Sequence, residues 1–466
     1  MSIADAATRL HDELLPAHLA DAIAAVEATW PTLRRGGRPI CSVLQPVFID
    51  GETYDGMLRD TLLVVRGFSA VISSARTDPA LRARIGLSPQ HEQVLARAST
   101  LPRVAIGRMD GLLVEGGYRF IEYNPFSQGV MCGGVGHVDP LRGAFEQMAV
   151  LQEVAARFVL RPIPTKPRLL EALCSLRDDR PDDRPASAPL VALIDVPAPG
   201  KTEADPIDFD SFEPDLVPCL PYLAAAGCRF SECKASQLAY GGGRLLDAIG
   251  RPIDVVFVNG SRSYLDTCSP DDPLLRAVVE GAVVTGDGYP VGDIVQHKGL
   301  FAELSDPDRG FALDDEIAEA VARAVPWTRR LARDVITRFE GERVALEPFV
   351  RASRDHLVLK PSAEEGGQGV VLGWQCDEAA WDAAVTEALG RGDYVVQERV
   401  RMAQRTLPVL RDGAVHRMPF YFDVDPYVWA DRIASSGFVR VSESERLNMT
   451  SGHGSAAPLF VVDGLR

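Results

Sequence analysis

The chain has 466 residues, 46% hydrophobic and 24% charged, which is a globular balance and on length suggests roughly two to four domains. Its formal net charge is −16, and no basic patch stands out, so nucleic acid and anionic membranes are not expected partners. No apolar run is long enough to span a bilayer.

The eight cysteines, Cys41, Cys132, Cys174, Cys219, Cys228, Cys233, Cys268 and Cys376, include no CxxC and no zinc spacing. They read as free thiols of a reducing cytoplasm. The first residues, MSIADAATRLHDELL, lack a basic region followed by an apolar core. A cytoplasmic protein is the expectation. Cys132, beside Gly133-Gly134, could be a nucleophile but has no evident base.

Residues 1–35 carry apolar residues at helical spacing, with Pro16 as a break. CSVLQPVFI reads as a strand, and GMLRDTLLVVRGFSAVISSAR as a core helix. RMDGLLVEGGYRFIEYN (108–124) reads as a hairpin. Arg108 and Asp110 share one face of a strand, and so do Glu122 and Asn124. A three-residue turn at 115–117 would set Asp110 opposite Glu122 and Arg108 opposite Asn124, gathering all four. Two carboxylates across a ladder repel, so a divalent metal beside an arginine is the natural partner. A two-residue Gly116-Gly117 turn would scatter the four groups over both faces. A solvated edge hairpin is the plain alternative.

The glycine-rich SQGVMCGGVGH leads to one helix over 139–158, with Asp139 as N-cap and Pro140 in its first turn. LRDDRPDDRPASAP (176–189) reads as a linker or loop. Strands LVALIDV, CRFSEC and IDVVFVNG alternate with a helix in DLVPCLPYLAAAG, which predicts a small parallel α/β layer. In GDIVQHKGLFAELSD, Lys298 is placed near a strand–helix junction. DEIAEAVARAVPWTRRLARDVI reads as helical, broken at Pro326.

VLKPSAEEGGQGVVLG is the strongest single signal. Lys360 ends an apolar strand, and Gly366, Gly367 and Gly369 form a loop whose backbone N–H groups can approach phosphate oxygens. It is neither a Walker loop nor a GxGxxG opening a helix. A plain glycine hairpin is the competing reading. DEAAWDAAVTEALGRG is a helix closed by glycine, and DYVVQERV a strand ending in Gln397-Glu398, which could meet a purine and its sugar.

In this order the pieces resemble the ATP-grasp superfamily, whose nucleotide cleft uses such a lysine, glycine lid and Gln-Glu strand end. Glu122-Tyr123-Asn124 lies far ahead of the lid, as in circularly permuted members. Arg108-x-Asp110, eleven residues, then Glu122-x-Asn124 is similar to the synthetase domain of glutathionylspermidine synthase. QHKGLFAELSD, VPWTRRL and GFVRVSESERLNMTSGHGSAAPLFVV look like segments of the same group. The resemblance covers about 100–140 and 190–466.

The resemblance implies an α/β protein with a circularly permuted ATP-grasp fold and a small pre-ATP-grasp α/β domain. The apolar spacing adds a mostly helical region at 1–100, and the metal-binding part of the core would be 101–175. The linker at 176–189 follows, then the pre-ATP-grasp-like domain at 190–290. The nucleotide-binding part is 291–400, and 401–466 completes the core. It implies ATP and Mg2+ as cofactors. Asp110, Glu122 and Asn124 would be metal ligands. Lys298, Lys360, Gly366, Gly367, Gly369, Gln397 and Glu398 would hold nucleotide. Arg108 and Arg440 would be catalytic, and Ser127 and Asn448 would face substrate. The implied reaction is ATP-dependent joining of a small-molecule or peptide carboxylate to an amine through an acyl phosphate. A phosphotransferase without amide formation and a non-catalytic nucleotide-binding scaffold are the alternatives.

Overall fold

The computed structural model describes residues 2–35, 37–98, 106–125, 135–178, 188–196, 219–258, 268–286, 292–364, 366–447 and 454–466. It is a mixed α/β protein with several sheets. The central sheet is antiparallel and runs in the order Gly454–Ala457, Ile433–Ser442, Ala414–Trp429, Ile106–Val114, Gly117–Asn124. Gln404–Arg411 pairs with the start of Ala414–Trp429. The hairpin at 106–124 is thus joined in one sheet to strands about three hundred residues further along the chain.

The N-terminal helices Ile3–Leu14 and Leu19–Thr29 flank a short 3-10 turn containing Pro16. The long helix Gly51–Thr77 buries Tyr54, Met57, Thr61, Val64, Phe68, Val71 and Ala75, a stripe at steps of three and four that defines one core face. Gly67 lets this helix approach its neighbours closely; a Cβ there would lie 3.1 Å from Leu304 and 3.2 Å from Ile317. Val47–Asp50 pairs in parallel with the C-terminal strand Leu459–Leu465, which also pairs with Phe158–Arg161.

Leu190–Asp195, Arg229–Lys234, Val255–Val258 and Val284–Thr285 form the expected parallel sheet. A further antiparallel sheet runs Thr328–Arg330, Tyr394–Glu398, Leu357–Pro361, Val371–Leu372. It has its own apolar core under helix Glu378–Arg391, built from Leu346, Leu357, Leu359, Trp381, Val385 and Val396. Gly392, left-handed at φ 71°, closes that helix.

Several expectations are corrected. Helix 139–158 is two helices, Val135–Glu146 and Ala149–Arg157; Pro140 lies inside the first, so Asp139 is not its N-cap, and its carboxylate instead accepts from Thr165 and from the Lys166 N–H at the start of helix Lys166–Asp178. Lys298 sits between short helices Gly292–Val295 and Gly299–Leu304, not beside a strand. Pro326 ends the helical run for good: after helix Asp315–Ala324 the chain becomes strand Thr328–Arg330, where Trp327 and Thr328 favour extended backbone. Helix Lys166–Asp178 runs into the expected linker, of which 179–187 lies outside the described residues. Among the described residues no helix is long and apolar enough to cross a membrane.

Candidate functional site

The hairpin reaches the expected pairing by a different route. Val114 pairs with Gly117, so Glu115 and Gly116 alone make the turn, with Gly116 at φ 77°. That register would have split the four polar groups between two faces. A bulge corrects it. Gly111 pairs with Phe120 and Asp110 with Glu122, which leaves Ile121 as an extra residue on the second strand. Arg108 then faces Asn124, and all four side chains share one side.

Asp110 is the hub. Its Oδ1 accepts hydrogen bonds from Arg108 Nε at 2.8 Å and Asn124 Nδ2 at 3.0 Å. Its Oδ2 accepts from Arg108 Nη2 at 3.2 Å and Arg440 Nη2 at 2.7 Å. A carboxylate offers about four lone-pair positions, and all are taken. Burial works to raise this carboxyl's pKa, but the charges of Arg108 and Arg440 override it and hold the group at about 2.

Arg440 comes from strand Ile433–Ser442, next but one to that of Asp110, and is buried in the same cluster, not on the surface. Its backbone N–H donates to Asp423 Oδ1 at 3.0 Å and its Nη2 to Asp423 Oδ2 at 2.6 Å. Arg440 Nε is 3.2 Å from Asp425 Oδ2. Asp425 Oδ1 accepts from the Gly111 N–H at 3.1 Å, where the ladder between 106–114 and 414–429 opens. Gly111 is needed there, since a Cβ would come within 2.6 Å of the Val424 carbonyl. Burial raises the carboxyl pKa values of both Asp423 and Asp425, and that of Asp425 rises far. The sequence reading missed both. Two aspartates inside the apolar strand FYFDVDPYVW were the available signal, because an unpaired charge is costly in such a strand.

The lysines converge on the second hairpin strand. Lys298 Nζ lies 2.9 Å from Glu122 Oε1 and donates to the Glu364 carbonyl at 2.8 Å. Its backbone N–H donates to the Ser362 carbonyl at 2.9 Å. Lys360 Nζ donates to Gln397 Oε1 at 2.7 Å and lies 3.5 Å from the carbonyl of the bulged Ile121. Gln397 Nε2 in turn donates to Thr328 Oγ1 at 2.9 Å, so Thr328 is a second residue that was missed. Burial lowers the Lys360 pKa to about 8, with Glu122 and Asp110 opposing the fall and Lys298 adding to it. Glu398 is exposed, on the other face of its strand, and its carboxylate accepts from the Trp327 N–H at 3.2 Å.

Gly366, Gly367 and Gly369 have φ of 63°, 75° and 67° in an exposed turn. The left-handed backbone explains glycine there. Trp374 and Arg399 stack beside the loop, with the guanidinium 4.0 Å from the ring. The candidate residues Ser127, Cys132 and Asn448 lie outside the described residues.

Among the described residues no group of three or more His, Cys, Asp or Glu side chains is arranged to hold a metal. Glu122 and Asn124 nevertheless suit Mg2+. Such sites use one or two carboxylates completed by substrate phosphates and water, Glu122 already faces a cation in Lys298, and Asn124 spends its amide nitrogen on Asp110, turning its carbonyl oxygen away from that carboxylate. Asp110 could join them only by giving up one of its present hydrogen bonds.

No protein-family model matches the sequence, and no curated protein matches it either. The fold is similar to that of a solved glutathione synthetase-like effector from Globodera pallida in its apo form, with 12% identity, a TM-score of 0.60 and 97% of each chain covered. A protein from Methylobacillus flagellatus KT, provisionally named a gamma-glutamylcysteine synthetase, matches at 13% identity and a TM-score of 0.40, over 84% of this chain and 88% of that one. The chain therefore shares its fold, over nearly its whole length, with a glutathione synthetase-like protein.

Proposed function

We propose that this chain is an ATP-dependent ligase that joins a carboxylate to an amine, forming an amide or peptide bond. The observation that carries this reading is the convergence of Lys298 and Lys360, from the glycine-loop part of the chain, on the strand bearing Glu122 and Asn124. A likeness of fold to a glutathione synthetase-like protein supports it. In the same reading the core is a circularly permuted ATP-grasp fold, similar to the synthetase domain of glutathionylspermidine synthase. Residues 190–290 are its pre-ATP-grasp domain, 291–400 its nucleotide-binding part and 101–175 with 401–466 its core, joined to a helical region at 1–100. The expected substrates are small molecules or peptides, in the cytoplasm.

ATP with Mg2+ supplies a γ-phosphoryl that converts a carboxylate into an acyl phosphate, from which an amine displaces phosphate. The residues have to position and neutralise charge more than attack. Glu122 and Asn124 would hold Mg2+, with Asp110 orienting Asn124 and completing the set if a hydrogen bond is released. Lys298 and Lys360 would balance phosphate charge, Lys360 being aimed by Gln397. Arg108 and Arg440, fixed on Asp110 and Asp423, would stabilise negative charge growing at the reacting carbonyl. The glycine loop would cover the phosphates with backbone N–H groups and exclude water. Glu398, at the strand end, would meet the nucleoside, and Ser127 and Asn448 would face substrate.

The test is an ADP-release screen over pooled carboxylates and amines, with mass spectrometry of the products. ADP release that needs both partners and yields a new amide supports the reading. ADP formed at full rate with a carboxylate alone, and no amide, would replace it with a phosphotransferase.

A further inference from the structure

A second polar pocket lies on the opposite face of the central sheet. Arg405 pairs with Phe420, and its guanidinium sits 5.0 Å over the Phe422 ring. Asp423, the next residue, points to the other side, where Arg440 and Asp110 lie. Arg405, Gln45, Thr8, Asp5 and Arg9 line a cavity of about 510 Å³ between helix Ile3–Leu14 and strand Gln404–Arg411.

Two features of this cavity are unresolved within the fold. Arg405 donates to the Phe48 carbonyl at 3.2 Å but forms no ion pair with any carboxylate among the described residues; burial lowers its pKa, and Asp5 and Asp50 oppose this only from a distance. Gln45 is fully buried, and its Oε1 has no hydrogen-bond partner. Turning the amide over would set its oxygen 3.5 Å from His11 Nδ1 but would give up the 3.2 Å bond from Nε2 to the Thr8 carbonyl and put oxygen against oxygen there. A buried acceptor left unmade costs about 1–3 kcal/mol. The larger cavity of about 950 Å³ beside Gly51 offers no such demand, since its Arg161 is held by both Asp55 and Asp463.

A guanidinium without an ion pair among the described residues, in a cavity that Asp5 also lines, calls for a ligand that carries both charges. We propose that this pocket binds a zwitterionic amino acid or short peptide, its carboxylate on Arg405 and its ammonium towards Asp5. Arg is the side chain best shaped for a carboxylate. The volume is within the range of small-molecule sites. The site is separate from the Asp110 cluster and does not depend on the ligase reading.

The test titrates glycylglycine into the full chain without ATP or Mg2+, followed by calorimetry and by hydrogen exchange. Exchange should slow in residues 5–12 and 404–407. Glycylglycinamide, which lacks the carboxylate, should bind at least about tenfold more weakly. Arg405→Gln should weaken glycylglycine binding similarly. If that variant fails to fold, the comparison of the two peptides on the unaltered protein decides. Protection confined to 106–124 and 357–370, absence of binding, or equal binding of both peptides would overturn the proposal.

Discussion

Lys298 Nζ rests 2.9 Å from the Glu122 carboxylate, although the two residues come from different sheets' neighbourhoods and are distant in sequence. In the ligase reading Mg2+ would take the place of this ammonium at Glu122. Exchange of the ammonium for Mg2+ would release Lys298 towards phosphate. Glu122→Gln should therefore lower turnover by more than about a hundredfold, a loss beyond that of an outer partner. Its thermal unfolding should stay close to that of the unaltered protein, since Glu122 is partly exposed and Lys298 keeps the Glu364 carbonyl. Full activity in this variant would remove Glu122 from the metal site.

Lys360 gives a pH dependence with a defined sign. Its pKa is lowered by burial to about 8, so the apo protein loses this charge as pH rises through that value. ATP affinity should be full near pH 7 and decline above pH 8, and binding at pH 8 should take up a proton. Calorimetry in buffers of different ionisation enthalpy reads that uptake directly. The stability term runs the other way. Between about pH 8 and the ordinary lysine value the unfolded chain binds more protons, so this group's contribution to stability rises with pH there. An ATP affinity flat from pH 7 to 9.5 would contradict the placement of Lys360 on phosphate.

Asp60 is fully buried in helix Gly51–Thr77 and anchors the hairpin from behind. Arg323 donates to both its oxygens at 2.8 Å, and Tyr118 Oη donates at 2.6 Å. Tyr118→Phe should cost about 1.5–3 kcal/mol, the range for a hydrogen bond to a charged group. Arg323→Ala should cost more, about 3 kcal/mol, because the buried carboxylate loses two charged hydrogen bonds and keeps only Tyr118 and, at 3.7 Å, Arg59. Urea unfolding of both variants checks the order. Equal and negligible losses would mean the triad does not hold the hairpin.

The glycine loop separates two kinds of substitution. Gly367→Ala meets nothing within 4 Å but keeps a left-handed φ, whereas a Cβ at Gly369 would come 2.7 Å from Pro361 Cγ and 3.0 Å from Tyr394 Oη. Each should cost about 1–2 kcal/mol in backbone strain, with a steric addition only at Gly369. Loss of chain freedom in the unfolded state, which favours alanine where it fits, does not compensate at these positive φ values. ATP affinity and kcat should fall together in the double variant. Amides of 362–369 should exchange fast without nucleotide and slow with MgATP; no change would make the loop a static hairpin.

Much of the site was legible because its chemistry sits in short strings. Arg108-x-Asp110 and Glu122-x-Asn124 name their own faces once strand geometry is assumed, and Lys360 with its glycines marks a loop. The turn was misread because a two-residue turn plus a bulge at Ile121 gives the same register at the site as a three-residue turn; alternation cannot distinguish them. Asp423 and Asp425 were missed because their role comes from Arg440 and Gly111 on adjacent strands. GDIVQHKGLF has the apolar content of a strand or a helix, and only the contacts of Lys298 with Ser362 and Glu364 accompany the short helices found there. Pro326 reads as a break inside a helix from the apolar spacing on both sides, whereas Trp327 and Thr328 after it favour a strand.

The most direct test of the ligase reading is the fate of carboxylate oxygen. The carboxylate substrate found in the ADP-release screen is prepared with both oxygens as ¹⁸O and turned over with ATP, Mg2+ and the amine, and the inorganic phosphate is analysed by mass spectrometry. Activation through an acyl phosphate places one ¹⁸O in each phosphate released and leaves one in the amide. Unlabelled phosphate accompanying amide would contradict acyl-phosphate chemistry, and labelled phosphate formed at full rate with no amine present would contradict the role of the amine as acceptor.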